Sequence, residues 1–308
     1  MALNTVSILI PCYNSARHLP KLFEGICAQT VSFNEIICYD DGSTDDTIAV
    51  AKALGAKVIA GDQNRGASYA RNRLIEAAST AWIHFHDSDD LISAHFVEEI
   101  QESINCLELP GQTCILSNMQ VIDLDGKNAE SLVQYKQSEI KTDPISYFLK
   151  HNGFAIIGCY PTKLLQQIGG FRQDIRGNED PDLHVRLALA GAKFACTDKT
   201  LVTNLTRSDS FSAINWAACL ADRLTCFENY IEVLDKRYHY LIGEQAVILS
   251  NYFYREKMPA LSNRALQLVY QSKIKQVYGS TFAKYITKLF GLRFYMWLSR
   301  KRIEFSVS

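Results

Sequence analysis

Short runs of apolar and β-branched residues recur along the first part of the chain, with longer amphipathic segments between them. Four such runs predict buried strands, at residues 6–10, 35–39, 56–60 and 81–85. Apolar residues at helical spacing predict helices over 16–29 and 67–78. This alternation predicts an α/β fold in which a doubly wound, mostly parallel sheet carries helices on both faces.

After residue 114 the alternation weakens, although single elements are still readable. The pattern predicts short strands at 115–117, 193–197 and 201–206, and helices over 144–150 and 182–190. Beyond Ser212 the sequence reads as helical, with few helix-breaking residues. We therefore divide the chain into residues 1–100 and 101–212, which form two halves of one domain, and a C-terminal helical region, 213–308.

Two acidic clusters follow predicted strands. Residues 40–45 read Asp-Asp-Gly-Ser-Thr-Asp, and residues 86–90 read His-Asp-Ser-Asp-Asp. Carboxylates are costly to bury unless they hold a ligand or a partner. An open α/β sheet presents its ligand crevice at the carboxyl ends of its strands. The two clusters therefore indicate one site for a metal and an anionic or hydroxyl-rich ligand.

The second cluster contains the metal candidates. Asp87 and Asp89 are two residues apart, and in an extended segment this spacing places both carboxylates on one face. Two hard oxygen ligands suit a divalent cation that also binds diphosphate oxygens. The alternative is a solvated loop before a helix that starts near Ser93. His86 is interpreted as a packed or hydrogen-bonded histidine, not a ligand.

Two residues outside this cluster are candidates for contact with a nucleotide base. The carboxylate of Asp41 is a candidate acceptor for the imide N–H of a pyrimidine, and a turn with a helix cap is the alternative. The guanidinium of Arg71 is a candidate to lie over or beside the base. A surface arginine on a helix is the alternative for Arg71.

Glu179 and Asp180 stand immediately before Pro181 and a predicted helix. Either carboxylate is a candidate general base. Because proline favours the first position of a helix, the alternative makes Asp180 the N-cap residue. A carboxylate engaged in capping bonds has a lowered pKa and is a weaker base, so the two interpretations differ in chemistry.

Charge is balanced over the whole chain but unevenly distributed. The formal net charge is −1, which gives no indication of nucleic-acid binding. Residues 1–212 carry a net charge of −8 and residues 213–308 a net charge of +7. The segment 273–302 combines eight cationic residues with aromatic and aliphatic residues at helical spacing. Two interpretations stay open: an interfacial helix on an anionic membrane, or a helix packed on the protein itself.

The cysteines and the apolar runs bear on location. Nine cysteines are scattered without a C-x-x-C pair, which favours a reducing compartment. No run of about 18 apolar residues and no signal-peptide pattern is present. We expect a cytoplasmic protein that is peripheral on the inner face of the membrane if the basic tail binds lipid.

Six motifs occur in an order that resembles the family 2 glycosyltransferases of GT-A fold. The resemblance covers residues 5–212, and its motifs are Val6–Asn14, Asp40–Asp45, Asn64–Gly66 with Ala70–Asn72, Asp87–Asp90, Gly169–Phe171, and Glu179–Leu183 with Arg186. Each motif is weak by itself, whereas six in sequence order are specific.

The resemblance implies an inverting transfer of a sugar from a nucleotide-sugar, usually a UDP-sugar, with Mn²⁺ or Mg²⁺. The acceptor would be a glycan or a lipid-linked sugar of a cell-envelope polysaccharide pathway. Residues 1–100 would bind the donor and 101–212 the acceptor. The roles implied are nucleotide binding by Pro11, Tyr13, Asn14, Asp41, Arg71 and Asp87; metal binding by Asp89 and Asp87; and base catalysis by Asp180, with Glu179 beside it.

One segment departs from the family pattern, and two other functions compete with the one implied. Members often place His or Arg, then serines, in a loop after the last strand. Here residues 207–212 read Arg-Ser-Asp-Ser-Phe-Ser, without a histidine and with Asp209 close to Arg207. Arg207 is therefore a candidate for phosphate contact.

A sugar nucleotidyltransferase would need a glycine-rich loop after the first strand, which residues 11–14 lack. An inert binding scaffold is disfavoured by the intact carboxylates.

Overall fold

The computed structural model describes residues 4–274 and 291–301, and the chain divides into two compact units. Met1–Ile214 form the first unit and Asn215–Ser308 the second, close to the boundary predicted after residue 212. Of the basic segment 273–302, residues 275–290 and 302 lie outside the described residues.

The first unit contains a mixed sheet. Among the described residues the sheet has nine strands: β1 Val6–Cys12, β2 Glu35–Asp40, β3 Lys57–Ala60, β4 Trp82–Phe85, β5 Leu91–Ile92, β6 Thr113–Asp123, β7 Ser131–Val133, β8 Gly158–Pro161 and β9 Lys193–Thr206. Their order in the sheet is β3-β2-β1-β4-β8-β6-β9-β5, and β7 pairs with β6.

The first half of the sheet is parallel. β1 pairs in parallel with β2 and with β4, and β2 pairs in parallel with β3. β8 lies antiparallel to β4 and β6, and β9 returns to parallel pairing with β6. The near-continuous burial of β1 and β4 fits strands covered on both faces. The prediction of a doubly wound α/β fold is confirmed.

Helices cover this sheet and separate its strands. They are α1 Leu19–Cys27, α2 Thr47–Ala53, α3 Ala67–Ala77, α4 Phe96–Asn105, α5 Gln137–Thr142, α6 Pro144–Lys150, α7 Thr162–Gln167, α8 Glu179–Leu189 and α9 Phe211–Ile214. Helix α1 buries Leu19, Leu22, Phe23 and Ile26, the residues whose spacing predicted it.

The structure differs from the predicted elements at three points. β1 continues through Pro11 to Cys12. Leu9 is the last residue of β1 that pairs with β4, so the N–H that Pro11 lacks is not needed for pairing between these two strands. β9 is one strand over Lys193–Thr206 instead of two, with register shifts near its middle. Residues 87–90 form a turn closed by the Asp90 N–H and the Asp87 carbonyl, so the extended segment predicted there is wrong.

The second unit is helical, as predicted. Its helices are α10 Trp216–Val233, α11 His239–Arg255 and α12 Pro259–Gln271, and residues 291–301 are also helical. Ser250 on α11 and Ser262 on α12 exchange bonds with each other's carbonyls, and the Arg300 guanidinium donates to Ser262 Oγ at 3.1 Å. Within the described residues, no helix has the length and apolarity that a membrane span requires.

A buried asparagine joins α3 to the turn at Gly169–Phe171. The Asn72 amide donates to the Phe171 carbonyl at 2.8 Å, and its oxygen accepts from the Phe171 N–H at 2.7 Å. Gly170 has φ +64°, and a Cβ there would lie 2.2 Å from Asn72 Oδ1. Glycine at 170 therefore allows the close approach that holds α3, and with it Arg71, against this turn.

We expect Asn72→Ala to lower the free energy of unfolding by about 2–4 kcal/mol, because two buried backbone groups lose their partner. Urea unfolding followed by circular dichroism measures this. Asn105→Ala is the control, since exposed Asn105 makes a single bond to Asn4, and we expect a change within about 0.5 kcal/mol. Equal effects of the two substitutions would contradict the role of Asn72.

Candidate active site

Three neighbouring parallel strands deliver candidate residues to one edge of the sheet. β1 ends at Cys12 and leads to Asn14, β2 ends at Asp40 and leads to Asp41, and β4 leads to Asp87. Because the strands are adjacent and parallel, their carboxyl ends lie at the same edge. The structure therefore brings both acidic clusters to one side of the molecule.

The loops after β1 and β2 are bonded to each other and to α3. Asn14 accepts from the Thr44 N–H at 2.8 Å and donates its own N–H to Ser43 Oγ. Asp41 is buried and accepts from the backbone N–H groups of Arg65 and Gly66, at 3.0 and 2.7 Å. Asp41 thus orders the start of α3 and stays a predicted nucleotide contact.

Two other predicted nucleotide residues lie at the same edge. Tyr13 directly follows β1, and its side chain is 48% exposed. Pro11 lies within β1 and is half-buried. The exposed ring of Tyr13 offers an aromatic face to a ligand in this crevice.

A buried arginine stands at the centre of the site. The Arg71 guanidinium is 4% exposed, and it pairs with Asp87 at 2.8 Å, Glu179 at 3.1 Å and Asp180 at 3.4 Å. Its Nε is buried and has no hydrogen-bond partner among the residues that the structure describes. One side chain of α3 therefore holds the turn after β4 and the start of α8 at one point.

The charges of this cluster shift the pKa values of its acids. Burial and the neighbouring Asp180 raise the pKa of Glu179 to about 7, although Arg71 opposes the shift. Burial also raises the pKa of Asp180, against the attraction of Arg71. A carboxyl with a pKa near neutrality is suited to proton transfer at physiological pH.

Asp180 is positioned by bonds on both its side chain and its backbone. Its Oδ2 accepts from the Ala155 N–H at 2.8 Å. Its carbonyl lies 2.8 Å from His184 Nδ1, and His184 Nε2 lies 3.0 Å from the Tyr160 hydroxyl. Burial lowers the pKa of His184 to about 4, so the ring is neutral and Nδ1–H donates to the carbonyl.

The alternative in which Asp180 caps a helix is wrong. Helix α8 begins at Glu179, so its N-cap residue is Asn178. Asn178 adopts a left-handed backbone conformation. Pro181 is therefore the third residue of the helix and not the first. The carboxylate of Asp180 remains aimed at Arg71 and Ala155 instead of at the amides of its own helix.

Asp89 and Arg207 form the second ion pair of the site. Arg207 Nη2 lies 2.8 Å from Asp89 Oδ2, and Arg207 Nε lies 3.1 Å from Asp209. The ion pair between Asp89 and Arg207 joins the loop after β9 to the turn after β4. Asp90 supports this contact, because it accepts from the Asn204 side chain and the Leu205 N–H of β9.

The carboxylates of the turn fit a divalent cation as part of a larger ligand set. Each of Asp87 and Asp89 uses one oxygen for an arginine, and their side chains are 35% and 32% exposed. No group of three or more candidate metal ligands occurs within residues 4–274 and 291–301. Two carboxylates fit a cation whose other ligands come from a diphosphate and water.

Several residues of this site carried no motif of their own. Tyr160, His184 and Ala155 support Asp180, and Asn204 supports the turn after β4 by bonding to Asp90 of the second acidic cluster. The signal for His184 was its spacing of four from Asp180 on one helix. Nothing in the sequence pointed to Tyr160 or Asn204, because each acts across a large sequence separation.

Comparison with known proteins identifies relatives of this chain. Residues 7–157 match the family model described as "Glycosyl transferase family 2". Succinoglycan biosynthesis protein ExoO of Rhizobium meliloti is 32% identical over 142 residues, 45% of this chain. Glycosyltransferase GlyA of Streptococcus pneumoniae is 26% identical over 253 residues, 75% of this chain. The chain spans 39% of ExoO and 36% of GlyA.

Solved structures resemble this chain over most of its length. Residues 1–349 of Staphylococcus aureus TarS superpose with a TM-score of 0.57 at 16% identity, covering 89% of this chain and 93% of that one. The mannosyltransferase PcManGT from Pyrobaculum calidifontis superposes with a TM-score of 0.58 at 14% identity, covering 98% and 88%. These likenesses show a GT-A fold. The match over residues 7–157 identifies a glycosyltransferase family 2 region in this chain.

Proposed function

We propose that this protein is an inverting glycosyltransferase that moves a sugar from a nucleotide-sugar to a hydroxyl of a glycan or of a lipid-linked sugar. The observation that carries the proposal is the buried Arg71 guanidinium, which gathers Asp87, Glu179 and Asp180. An inverting transfer needs one base on the face of the anomeric carbon opposite the leaving group. A carboxylate with a raised pKa next to the donor edge meets that need.

The donor in this proposal lies along the carboxyl ends of β1, β2 and β4. Tyr13 offers an exposed ring to the nucleoside, and Pro11, Asn14 and Asp41 lie at the same edge of the sheet. TarS has been solved with UDP and with UDP-GlcNAc, and PcManGT with GDP-Man and Mn²⁺. We favour a UDP-sugar because Asp41 suits the imide of a pyrimidine.

Arg71 acts in this proposal through the carboxylates and not by stacking on the base. Its guanidinium is almost fully buried, and it lies 5.3 Å from the centre of the Phe171 ring. Its positive charge opposes the rise in the pKa of Asp180 that burial causes. Arg71 is therefore a positioning residue for the base and for the turn after β4.

Asp89 and Asp87 would hold a divalent metal, Mn²⁺ or Mg²⁺. When bound, the metal supplies positive charge that neutralises the diphosphate leaving group. Arg207 now pairs with Asp89, and its guanidinium is suited to bind a diphosphate oxygen once that carboxylate turns to a cation. Asp180 accepts the proton of the acceptor hydroxyl, and the Ala155 N–H holds its other oxygen.

We expect Asp180→Asn to keep donor affinity and to lose turnover by roughly 10²-fold or more, because it removes the base but keeps the bond to Ala155. Glu179→Gln is the matched variant, and we expect it to lose less. Donor affinity is measured by calorimetry with UDP and Mn²⁺, and turnover by UDP release. Turnover that falls more in Glu179→Gln than in Asp180→Asn would assign the base to Glu179.

The pH dependence of wild-type turnover tests the same assignment. A base works deprotonated, and burial raises the pKa of both acids, that of Glu179 to about 7. Turnover should therefore rise with pH up to about 7 and then level off. The apparent pKa of this profile belongs to the interacting pair of Glu179 and Asp180. The residual turnover of Asp180→Asn should no longer fall at low pH. Turnover that is flat from pH 5 to 8 would contradict a buried carboxyl base.

Metal binding gives a further prediction. Asp89→Asn should abolish metal-dependent UDP binding and turnover, because it removes a charged oxygen ligand. Arg207→Gln should bind Mn²⁺ alone more tightly than wild type, because Asp89 loses its competing cation. Electron paramagnetic resonance of free Mn²⁺ measures the metal affinity of both variants without turnover, and UDP release measures the activity of Asp89→Asn. Full activity of Asp89→Asn, or of wild type in excess chelator, would refute the metal role.

We also propose that the second unit contacts an anionic membrane through its basic C-terminal segment. In the helix at 291–301, Met296 is buried while Trp297 and Phe294 are 53% and 38% exposed. Their rings lie 5.6 Å apart, and Arg293 lies on the same helix. Aromatic rings beside basic residues are typical of interfacial helices.

Vesicle flotation tests this contact. Recovery with anionic vesicles should exceed that with neutral vesicles and fall at high salt, since each basic residue near an anionic surface adds about 1 kcal/mol. The double substitution of Phe294 and Trp297 by alanine should reduce recovery. Tyr240→Ala, which removes another exposed aromatic ring of the second unit, is the control. Equal recovery with both lipids, or none, would contradict membrane contact.

A further inference from the structure

The hairpin formed by β6 and β7 bonds to the loop after β9 at two points. The Leu124 N–H donates to the Thr206 carbonyl at 3.0 Å. The Asp125 carboxylate accepts from the Ser208 N–H at 2.8 Å. Thr206 and Ser208 are the two neighbours of Arg207 in the chain. The hairpin therefore holds the backbone on both sides of that arginine.

The tip of this hairpin, residues 123–128, is a turn built around one carboxylate. Asp123 accepts from three backbone N–H groups of the turn, at 3.0, 3.2 and 2.9 Å, those of Asp125, Lys127 and Asn128. The Asn128 side chain donates to the same carboxylate at 2.8 Å. Because Asp123 closes the turn, the side chain of Asp125 is available to bond outside the hairpin.

The bond from Ser208 to Asp125 is made to a charged acceptor. Hydrogen bonds from Ser208 lower the pKa of Asp125, and the charge of Lys127 adds to this effect. The carboxylate is therefore ionised at neutral pH, and a hydrogen bond to an ionised acceptor is stronger than one between neutral groups. This bond joins two segments that are 83 positions apart in the chain.

Arg207 lies where β9 is followed by exposed chain. Before it, the strand is bonded to Asp90; after it, Ser208 and Asp209 are exposed. An exposed segment is ordered only by specific bonds, and each residue that ligand binding has to order lowers the affinity. The bond from Ser208 to Asp125 orders this segment before any ligand binds.

We propose that Asp125 is a positioning residue for Arg207. By holding the Ser208 N–H, it keeps the guanidinium where it can pair either with Asp89 or with a diphosphate bound beside that carboxylate. Asp125 touches neither donor nor metal in this proposal, and it acts through the backbone next to Arg207. The contact with a diphosphate rests on the proposed function, whereas the hold of Asp125 on Arg207 does not.

Limited digestion of the full chain with trypsin tests this hold without any ligand. Trypsin cleaves between Arg207 and Ser208, and cleavage requires the segment to open. Asp125→Ala should be cleaved there faster than wild type, by about threefold or more, because the segment loses a hydrogen bond. Asp125→Asn should be cleaved at the wild-type rate, because its amide oxygen still accepts from the Ser208 N–H. Mass spectrometry identifies the cleaved bond and follows its rate.

The affinities for Mn²⁺ and for UDP should change in opposite directions. Asp125→Ala should bind Mn²⁺ alone more tightly than wild type, because a loosened Arg207 competes less well for Asp89. It should bind UDP in saturating Mn²⁺ more weakly, by about threefold to tenfold, because Arg207 is no longer ordered in advance. Electron paramagnetic resonance of free Mn²⁺ and calorimetry with UDP measure the two affinities. Damage to the fold would weaken both, whereas Asp125→Asn should restore both.

Two further variants make the test specific to Arg207. When Arg207→Gln is already present, adding Asp125→Ala should change neither affinity further, because the side chain that Asp125 positions is absent. Asp198→Ala is the matched control, since it removes an exposed carboxylate elsewhere on β9. It should leave the cleavage rate and both affinities at their wild-type values.

Three results would overturn the proposal. They are unchanged cleavage after Arg207 in Asp125→Ala, equal effects of Asp125→Ala and Asp125→Asn, and effects of Asp125→Ala that add fully to those of Arg207→Gln. Failure of the proposed function gives a different result. UDP affinity that Arg207→Gln leaves unchanged, with cleavage and Mn²⁺ binding altered as expected, would refute the diphosphate contact and support the positioning role of Asp125.

Discussion

The first unit depends on one buried guanidinium. Its three carboxylate partners come from two elements, Asp87 from the turn after β4 and Glu179 with Asp180 from the start of α8. Burying a carboxylate costs several kcal/mol unless a cation accompanies it. Arg71 supplies that cation and lies within hydrogen-bonding distance of all three. Because it extends from α3, it connects the parallel half of the sheet to the start of α8. The same contact that satisfies the buried charges also places a candidate base beside the donor edge.

Hydrogen bonds fix the elements around Arg71 to one another. Asn72, the next residue, fixes α3 to the turn at Phe171, and the Ala155 N–H fixes Asp180 from the other side. Behind Asp180, His184 Nδ1 donates to the Asp180 carbonyl, and His184 Nε2 bonds to the Tyr160 hydroxyl. Hydrogen bonds from several elements hold Asp180 in one position, as the proposed proton transfer requires.

The second ion pair is of a different kind. Asp89 and Arg207 are 32% and 20% exposed, and Arg207 lies in a loop that follows the last strand. An ion pair that retains contact with solvent is worth little and is exchanged easily. In the proposed function, the cluster at Arg71 would hold the base, and the more exposed pair at Asp89 would respond to a bound cation and diphosphate.

The sequence alone determined the α/β architecture, the strands of the parallel half and the family 2 region, because these depend on local apolar periodicity and on motifs that are continuous in the chain. It also placed Asp87, Asp180 and Arg71 in one site, through strand ends and family resemblance. Only the tertiary structure decided what each of them contacts. The ion pair of Arg71 with Asp180 spans 109 positions and that of Arg207 with Asp89 spans 118, and no local pattern encodes such contacts. Helix α8 likewise starts at Glu179 despite the preference of Pro181 for the first position of a helix, and the Asp180 carboxylate bonds to the Ala155 N–H, 25 positions away, instead of capping the helix.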